Sequence, residues 1–198
     1  MEVPLPQCHS LRCDRLMIQS TQDRDRYIQA DLKRAGVGRW SWAVGFRHPL
    51  LRYQRLLRRT EYVVNCRKGR LWKPYVLFCL FRLRRAGMKL GFTIHPNNFG
   101  PGLSIAHWGT IVVNPGCRVG ANCRIHPGTS LGETDGGSPV LGDDCYIGPG
   151  AKLFGPITLG DRVSIGANAV VHKSFGSDLV LVGVPARAID RRDGAGRE

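Results

Sequence analysis

The side chains best suited to chemistry in this sequence are two histidines, His107 in AHWG and His126 in RIHPG. An imidazole titrates near neutrality, so it can take a proton from an attacking group and return it to a leaving group. Spacing is what brings this pair together. From Val113 to Phe175 the sequence repeats every six residues, each unit opening on an aliphatic residue: Val113, Val119, Ile125, Leu131, Leu141, Ile147, Leu153, Leu159, Ile165, Val171. His126 follows the opener Ile125 in a slot that usually holds Gly, as at Gly120, Gly142, Gly148 and Gly166. Of the other histidines, His95 reads as a turn residue, and His172 fills a Gly slot past the site.

A period of six is a multiple of the strand period and not of 3.6, so the openers face inward along extended segments and no helix fits. A small or apolar residue recurs four positions after each opener, at Cys117, Cys123, Thr129, Cys145, Ala151, Ile157, Val163 and Ala169. This is the signature of a parallel β-helix, whose coils bury one aliphatic row against the next. Three units close one triangular turn in such solenoids, so every third opener stacks, giving the column Ile105, Ile125, Ile147, Ile165. Stacked strands lie ~4.8 Å apart, which sets His107 and His126 on neighbouring coils near one edge. Below them come Gly148-Pro149 and Gly166-Ala167, both small, and the loop GETDGGSPV (132–140) leaves the solenoid just after His126. The expected site is a shallow groove with two imidazoles at its head and a Gly-rich flap beside it. A long, thin ligand fits such a groove with its reactive end at the histidines.

The charge lies elsewhere. Of a formal net charge of +14, residues 1–92 carry 20 Lys/Arg against 6 Asp/Glu, while residues 93–198 carry 9 of each. The repeat is neutral and the whole excess precedes it. The plain reading is a helical cap with solvated arginines; the sharper one is an anionic membrane surface or an acidic partner. No recognised nucleic-acid module accompanies the charge. The longest apolar run, Val76 to Phe81, is too short to span a bilayer, and no apolar signal core opens the chain. Seven cysteines, three of them in the small inward slot, read as free thiols in a reducing compartment, so the protein is expected to be cytoplasmic.

Residues 1–17 read as a disordered extension, with Met17 an alternative start, and 18–91 as a basic α-helical region. Within it, 18–35, 50–65 and 72–90 have helical character, Ser20 or Thr21 caps the first, and Gly36 to Pro49 is a connection. The helices are candidates to cap the first coil, and the Arg55/Arg58/Arg59 and Arg82/Arg84/Arg85 clusters to face an anionic surface. Residues 92–190 form the β-helix, with its coils ending near Val182, and 191–198 a flexible, frayed tail.

The segments IHPNNFGPGLSIAHWG, IHPGTSLGETDGG, IGPGAKLFGPITLG, IGANAVV and GVPAR resemble the hexapeptide-repeat serine O-acetyltransferases and their relatives in polysaccharide gene clusters, over roughly residues 90–190. The resemblance implies a left-handed coil, a homotrimer with active sites between subunits, and acetyl-coenzyme A as donor. It makes His107 the catalytic base. It also lays the pantetheine arm along Pro149-Gly150 and Ala167, beside Gly132. His126 joins as a substrate or supporting residue, Lys173 and Arg187 as contacts for the nucleotide phosphates, and Glu133 and Asp135 as carboxylates that could orient a histidine across the subunit boundary. Of two acceptor-side positions that hold acids in the serine enzymes, Thr93 stands where an acid orients the catalytic His and Ala106 where an acid helps bind the serine amino group, and the flap lacks their Arg-His pair. L-serine by resemblance and a sugar or envelope-precursor hydroxyl by chemistry therefore both stand as acceptors. Two further readings are a non-catalytic scaffold and a zinc enzyme of the γ-carbonic-anhydrase kind. The latter needs three convergent imidazoles where only two meet, so no metal is expected.

Overall fold

The computed structural model describes residues 17–190. The expected N-terminal extension (Met17 apart) and the 191–198 tail lie outside the described residues, as do Cys8 and Cys13. Helices come first: α1 (Thr21–Arg34), α2 (Trp42–Arg47), α3 (Pro49–Cys66) and, after a 3-10 turn at Arg70–Trp72, α4 (Lys73–Leu90). The Ser20 hydroxyl caps α1 by accepting the Asp23 N–H at 3.0 Å. Pro in the first turn starts both α3 and α4, where its missing N–H costs nothing. Helix α2 falls in the stretch read from sequence as a connection. Six residues are too few for a period to declare itself, although Ser41 caps it through the Val44 N–H at 3.2 Å. Gly91 ends α4 in the left-handed region, at φ 83°, and a Cβ there would stand 2.8 Å from the Gly109 carbonyl oxygen.

The chain then winds into a left-handed parallel β-helix of about 5 turns. One face stacks β1 (Phe92–Thr93), β3 (Ile111–Val113), β6 (Thr129–Gly132), β9 (Lys152–Phe154) and β12 (Val170–Val171). A second face stacks β4 (Arg118–Val119), β7 (Val140–Leu141) and β10 (Thr158–Leu159). The third stacks β2 (Ser104–Ile105), β5 (Arg124–Ile125), β8 (Tyr146–Ile147), β11 (Ser164–Ile165) and β13 (Leu179–Val182). Register on this face aligns Ile105, Ile125, Ile147, Ile165 and Leu181, extending the expected column by one coil. Each opener from Val113 to Val171 is at most 3% exposed, and so are the small or apolar residues from Cys117 to Ala169 named above. Burial pushes the thiols of Cys117 and Cys145 up to about 11, so these cysteines are packing groups and not nucleophiles.

The two ends are closed differently. At the foot, β14 (Arg187–Asp190) turns back antiparallel on β13 and covers the last strand edge. The sequence past Val182 gave little sign of this strand, because a short polar segment has no period to read. At the head, Tyr53, Leu57 and Leu83 of α3 and α4 pack on Phe92, Ile94, Phe99 and Leu103. Arg58 lies among them. It is fully buried, donating to Asp31 at 2.8 Å, to Glu61 at 3.1 Å and to the carbonyls of Phe99 at 2.8 Å and Gly100 at 2.7 Å. Burial works against its charge, yet Asp31 and then Glu61 outweigh that and hold the guanidinium protonated. The expectation that Arg58 joins Arg55 and Arg59 on an outward cationic face is therefore corrected. Its spacing was helical, but its partners face inward.

Candidate active site

Four segments follow the strands of the third face and turn the same edge of the prism: 106–110, 126–128, 148–151 and 166–169. His107 sits on the topmost of these turns, exposed, with the Gly109 N–H tied to the Leu90 carbonyl at the end of α4 at 2.9 Å. His126 opens the next turn down, its N–H bonded to the Ile147 carbonyl at 3.1 Å. The two rings lie 6.5 Å apart between centroids. The juxtaposition inferred from coil arithmetic is the one observed. Among the described residues no carboxylate or hydroxyl hydrogen-bonds the His107 ring. Ala106 adjoins it in the chain, and Thr93 is exposed on the outer side of β1, paired with Val112.

Two residues that the sequence analysis did not single out complete the cluster. Arg124 Nε donates to His126 Nε2 at 3.3 Å, and its Nη1 reaches Ser104 Oγ at 3.4 Å. Tyr146, register partner of Arg124, holds its ring 5.1 Å from that of His126. Both stand one position before an opener, so strand alternation points them outward beside His126; that register was the available signal. His126 is held below its ordinary 6.5 by partial burial, then by Arg124 and then by His107. It is therefore neutral at neutral pH, and because Nε2 accepts from Arg124, its proton resides on Nδ1. Next to this group a cavity of about 240 Å³ opens between helical cap and first coil, lined among others by Arg47, His48, Gln54, Ser104 and Trp108.

Below His126 the edge is made of small groups. The Gly150 N–H bonds to the Pro127 carbonyl at 3.0 Å and the Asn168 N–H to that of Pro149 at 2.9 Å, so Pro149, Gly150 and Ala167 form one strip under the histidines. The other expected contacts are dispersed. Gly132 ends β6, and the flap beyond it closes as a tight turn, Thr134 N–H to Gly137 carbonyl at 3.0 Å. This turn lies on the next edge of the prism, between the first and second faces, with Glu133 and Asp135 exposed. Proximity in sequence had suggested a flap beside the histidines. Within one chain the width of the first face separates them. Lys173 follows β12 on that same far edge, whereas Arg187 pairs with Val182 at the foot of the third face. Among the described residues no three His, Cys, Asp or Glu side chains gather as a metal cradle, and no helix is long and apolar enough to cross a membrane.

A coil with this repeat and this head of two imidazoles is similar to hexapeptide-repeat transferases. The family described as bacterial transferase hexapeptide (six repeats) matches residues 138–173, and the hexapeptide repeat of succinyl-transferase matches 111–134. Within that class the similarity is to serine acetyltransferases. That of Synechococcus elongatus is 39% identical over 106 residues, 51% of this chain and 43% of the relative. That of Staphylococcus xylosus is 39% identical over 109 residues, 52% of this chain and 50% of the relative. The chain spans about half the length of the curated relatives it matches. Among solved structures, the serine acetyltransferase of Brucella abortus strain S19 superposes with a TM-score of 0.65 at 27% identity, over 86% of this chain and 68% of that one. A serine acetyltransferase in complex with CoA gives 0.66 at 26% identity, over 85% of this chain and 68% of that one. The chain is a hexapeptide-repeat protein resembling serine O-acetyltransferases.

Proposed function

We propose that this protein is an acetyl-CoA-dependent O-acetyltransferase whose acceptor is the hydroxyl of L-serine. The observation that carries the reading is the His107–His126 pair, 6.5 Å apart at the head of a strip of small residues. The similarity to serine acetyltransferases, one of them in complex with CoA, supports donor and acceptor. In the reaction His107 removes the hydroxyl proton as the oxygen attacks the thioester carbonyl. The tetrahedral oxyanion, held by backbone N–H groups at a Gly-rich turn, then collapses. The C–S bond breaks, acetyl stays on the acceptor oxygen, and the thiolate leaves with the proton that His107 returns. No acyl-enzyme forms, because holding both substrates together supplies the gain in rate. His126, neutral and fixed by Arg124, presents Nδ1–H as a donor at the same edge. The pantetheine arm follows Pro149, Gly150 and Ala167 towards Arg187, with Lys173, which stands on the far edge of its own chain, a second phosphate contact only from a neighbouring subunit.

A homotrimer belongs to this reading. Glu133 and Asp135 lie one edge away from the His107 of their own chain, so they orient a histidine only across a subunit boundary. The basic helical region is the contact with an acidic partner or surface. Free thiols at Cys66, Cys79, Cys117, Cys123 and Cys145 support a cytoplasmic setting. A second acceptor reading, a sugar hydroxyl, is favoured by one feature: no Asp or Glu occurs between Glu61 and Glu133, and Thr93 and Ala106 leave an ammonium without a carboxylate partner.

Thiol release from acetyl-CoA, measured against L-serine, hexoses and amino sugars, tests the proposal. Release with serine is expected, and His107→Ala lowers it by about 10²–10⁴-fold while the fold persists. Release only with a sugar moves the acceptor to the second reading. Turnover of the His107→Ala variant near that of the parent would overturn the assignment of the base, and no release with any acceptor would leave a scaffold.

A further inference from the structure

Helix α4 (Lys73–Leu90) is apolar on both of its sides, and only one of them is used. Its inner side, centred on Leu83 and Gly87, packs on the first coil. At 100° per residue, Leu77, Phe81 and Met88 project roughly 100–140° round the helix from that side, with Phe78 next to them. They are 65%, 59%, 65% and 53% exposed. Arg82, Arg85 and Lys89 run along the Phe78 flank of this stripe, and Lys73 and Arg84 along the other. Among the described residues none of these five cations has an ion-pair partner, and Arg82 leans on the Phe78 ring 5.6 Å away. Just ahead of the helix, Leu71 is 95% exposed and Trp72 is held by Arg67, 4.7 Å from its ring. From Arg67 to Leu90 the chain has eight basic residues and no acidic one.

A soluble helix is expected to turn a polar face to water. One that turns outward an apolar stripe bordered by long cationic side chains matches helices lying in the headgroup region of a bilayer. There the apolar groups enter the acyl boundary while Arg and Lys snorkel to the phosphates. Charge decides between occupants. A second copy presenting the same face would set like charges against each other, whereas an anionic lipid surface complements all five cations at once. We propose that the outer face of α4, with Leu71 and Trp72 at its start, docks the protein peripherally on an anionic bilayer. The proposal commits the general expectation of an acidic contact to one surface and one partner, and it holds whatever the acceptor. Docking also carries the active edge to the surface, because the end of α4 is hydrogen-bonded to the turn that bears His107.

The test is flotation of the full chain with vesicles of phosphatidylcholine alone and of phosphatidylcholine mixed with phosphatidylglycerol. Three variants accompany it: Arg82→Gln/Arg85→Gln, Leu77→Gln/Phe81→Gln and, as control, Arg162→Gln on the far end of the coil. Binding to the mixed vesicles only is expected, weakened by high salt and lowered on the order of tenfold or more by the double arginine change. The apolar pair is expected to abolish binding, and the control to leave it unchanged. No binding to mixed vesicles, or equal binding to both, would overturn the proposal. So would an apolar-pair variant that sediments as a smaller assembly than the parent, since the face would then be a subunit contact. Thiol release by the same variants in the absence of vesicles is expected to equal that of the parent, which separates failure of docking from failure of the acetyl-transfer reading.

Discussion

The two ends of this solenoid solve the same problem with different materials. A stack of coils leaves backbone groups unpaired wherever the stack stops. At the foot the answer is more backbone: β14 pairs antiparallel with β13 through four residue pairs. At the head the answer is side chains. The carbonyls of Phe99 and Gly100 point where a preceding coil would lie, and the Arg58 guanidinium meets both. Gln54 meets the Leu103 carbonyl, Asp31 accepts the Leu103 N–H at 2.8 Å and Glu61 the Asn97 N–H at 2.9 Å. Charged residues of a helical cap thus imitate the strand that is missing. A repeat can be extended by copying itself, but its end must be written in a different chemistry.

This contrast can be broken in stages. Arg58→Ala should have the largest effect, about 3–5 kcal/mol, because it strands two buried carboxylates and two carbonyls. Urea unfolding of the variant measures it, and a loss under about 1 kcal/mol would mean that the cap is held by its apolar contacts alone. Replacing Arg58, Asp31 and Glu61 together by apolar residues is often harmless for buried ion clusters. Here it should still destabilise, since the Phe99 and Gly100 carbonyls and the Leu103 and Asn97 N–H groups would lose their partners. Within the coil, Ile147→Val removes one methyl group from a residue with no exposed surface and should cost about 0.5–1.5 kcal/mol. On the outer side of the cap, Arg55→Ala gives up a stacking contact on Trp40, 4.5 Å from the ring, and should cost about 0.5–1 kcal/mol.

The smallest change is a titration. Arg124→Gln removes one of the causes that hold His126 below 6.5, but not burial, the larger one. The midpoint followed by NMR should therefore rise while staying under its ordinary value. The sign for stability follows from proton linkage. With the folded value depressed, the unfolded chain binds its proton first, so the wild type loses stability as pH falls from 6.5 towards the folded value. The variant should lose less over that window. An unchanged midpoint would mean that Arg124 does not act on the ring.

How much of this could be read from sequence depends on whether the information is local. The openers, the small inward residues and the stacking of Ile105, Ile125, Ile147 and Ile165 follow from a period that recurs too often to mislead, and the meeting of His107 with His126 follows from that column. Arg58 could not be read in this way. Its helical spacing is that of Arg55 and Arg59, and what distinguishes it is Asp31, 27 residues earlier on another helix. The flap was misjudged for the opposite reason: it is near His126 in sequence, but a strand of the first face intervenes and carries it round the corner. Arg124 and Tyr146 were within reach, because alternation about known openers already placed them on the outer surface.

With a stopper at each end, the prism has a set height. From Ile105 to Leu181 the third face climbs four steps, through Ile125, Ile147 and Ile165. At ~4.8 Å per step that is ~19 Å from the level of the histidines to that of Arg187. The number of windings, and no individual side chain, is what gauges the distance between the top and bottom of the edge. Splicing one more winding into the middle would stretch that gauge by ~4.8 Å while leaving both of its ends chemically untouched.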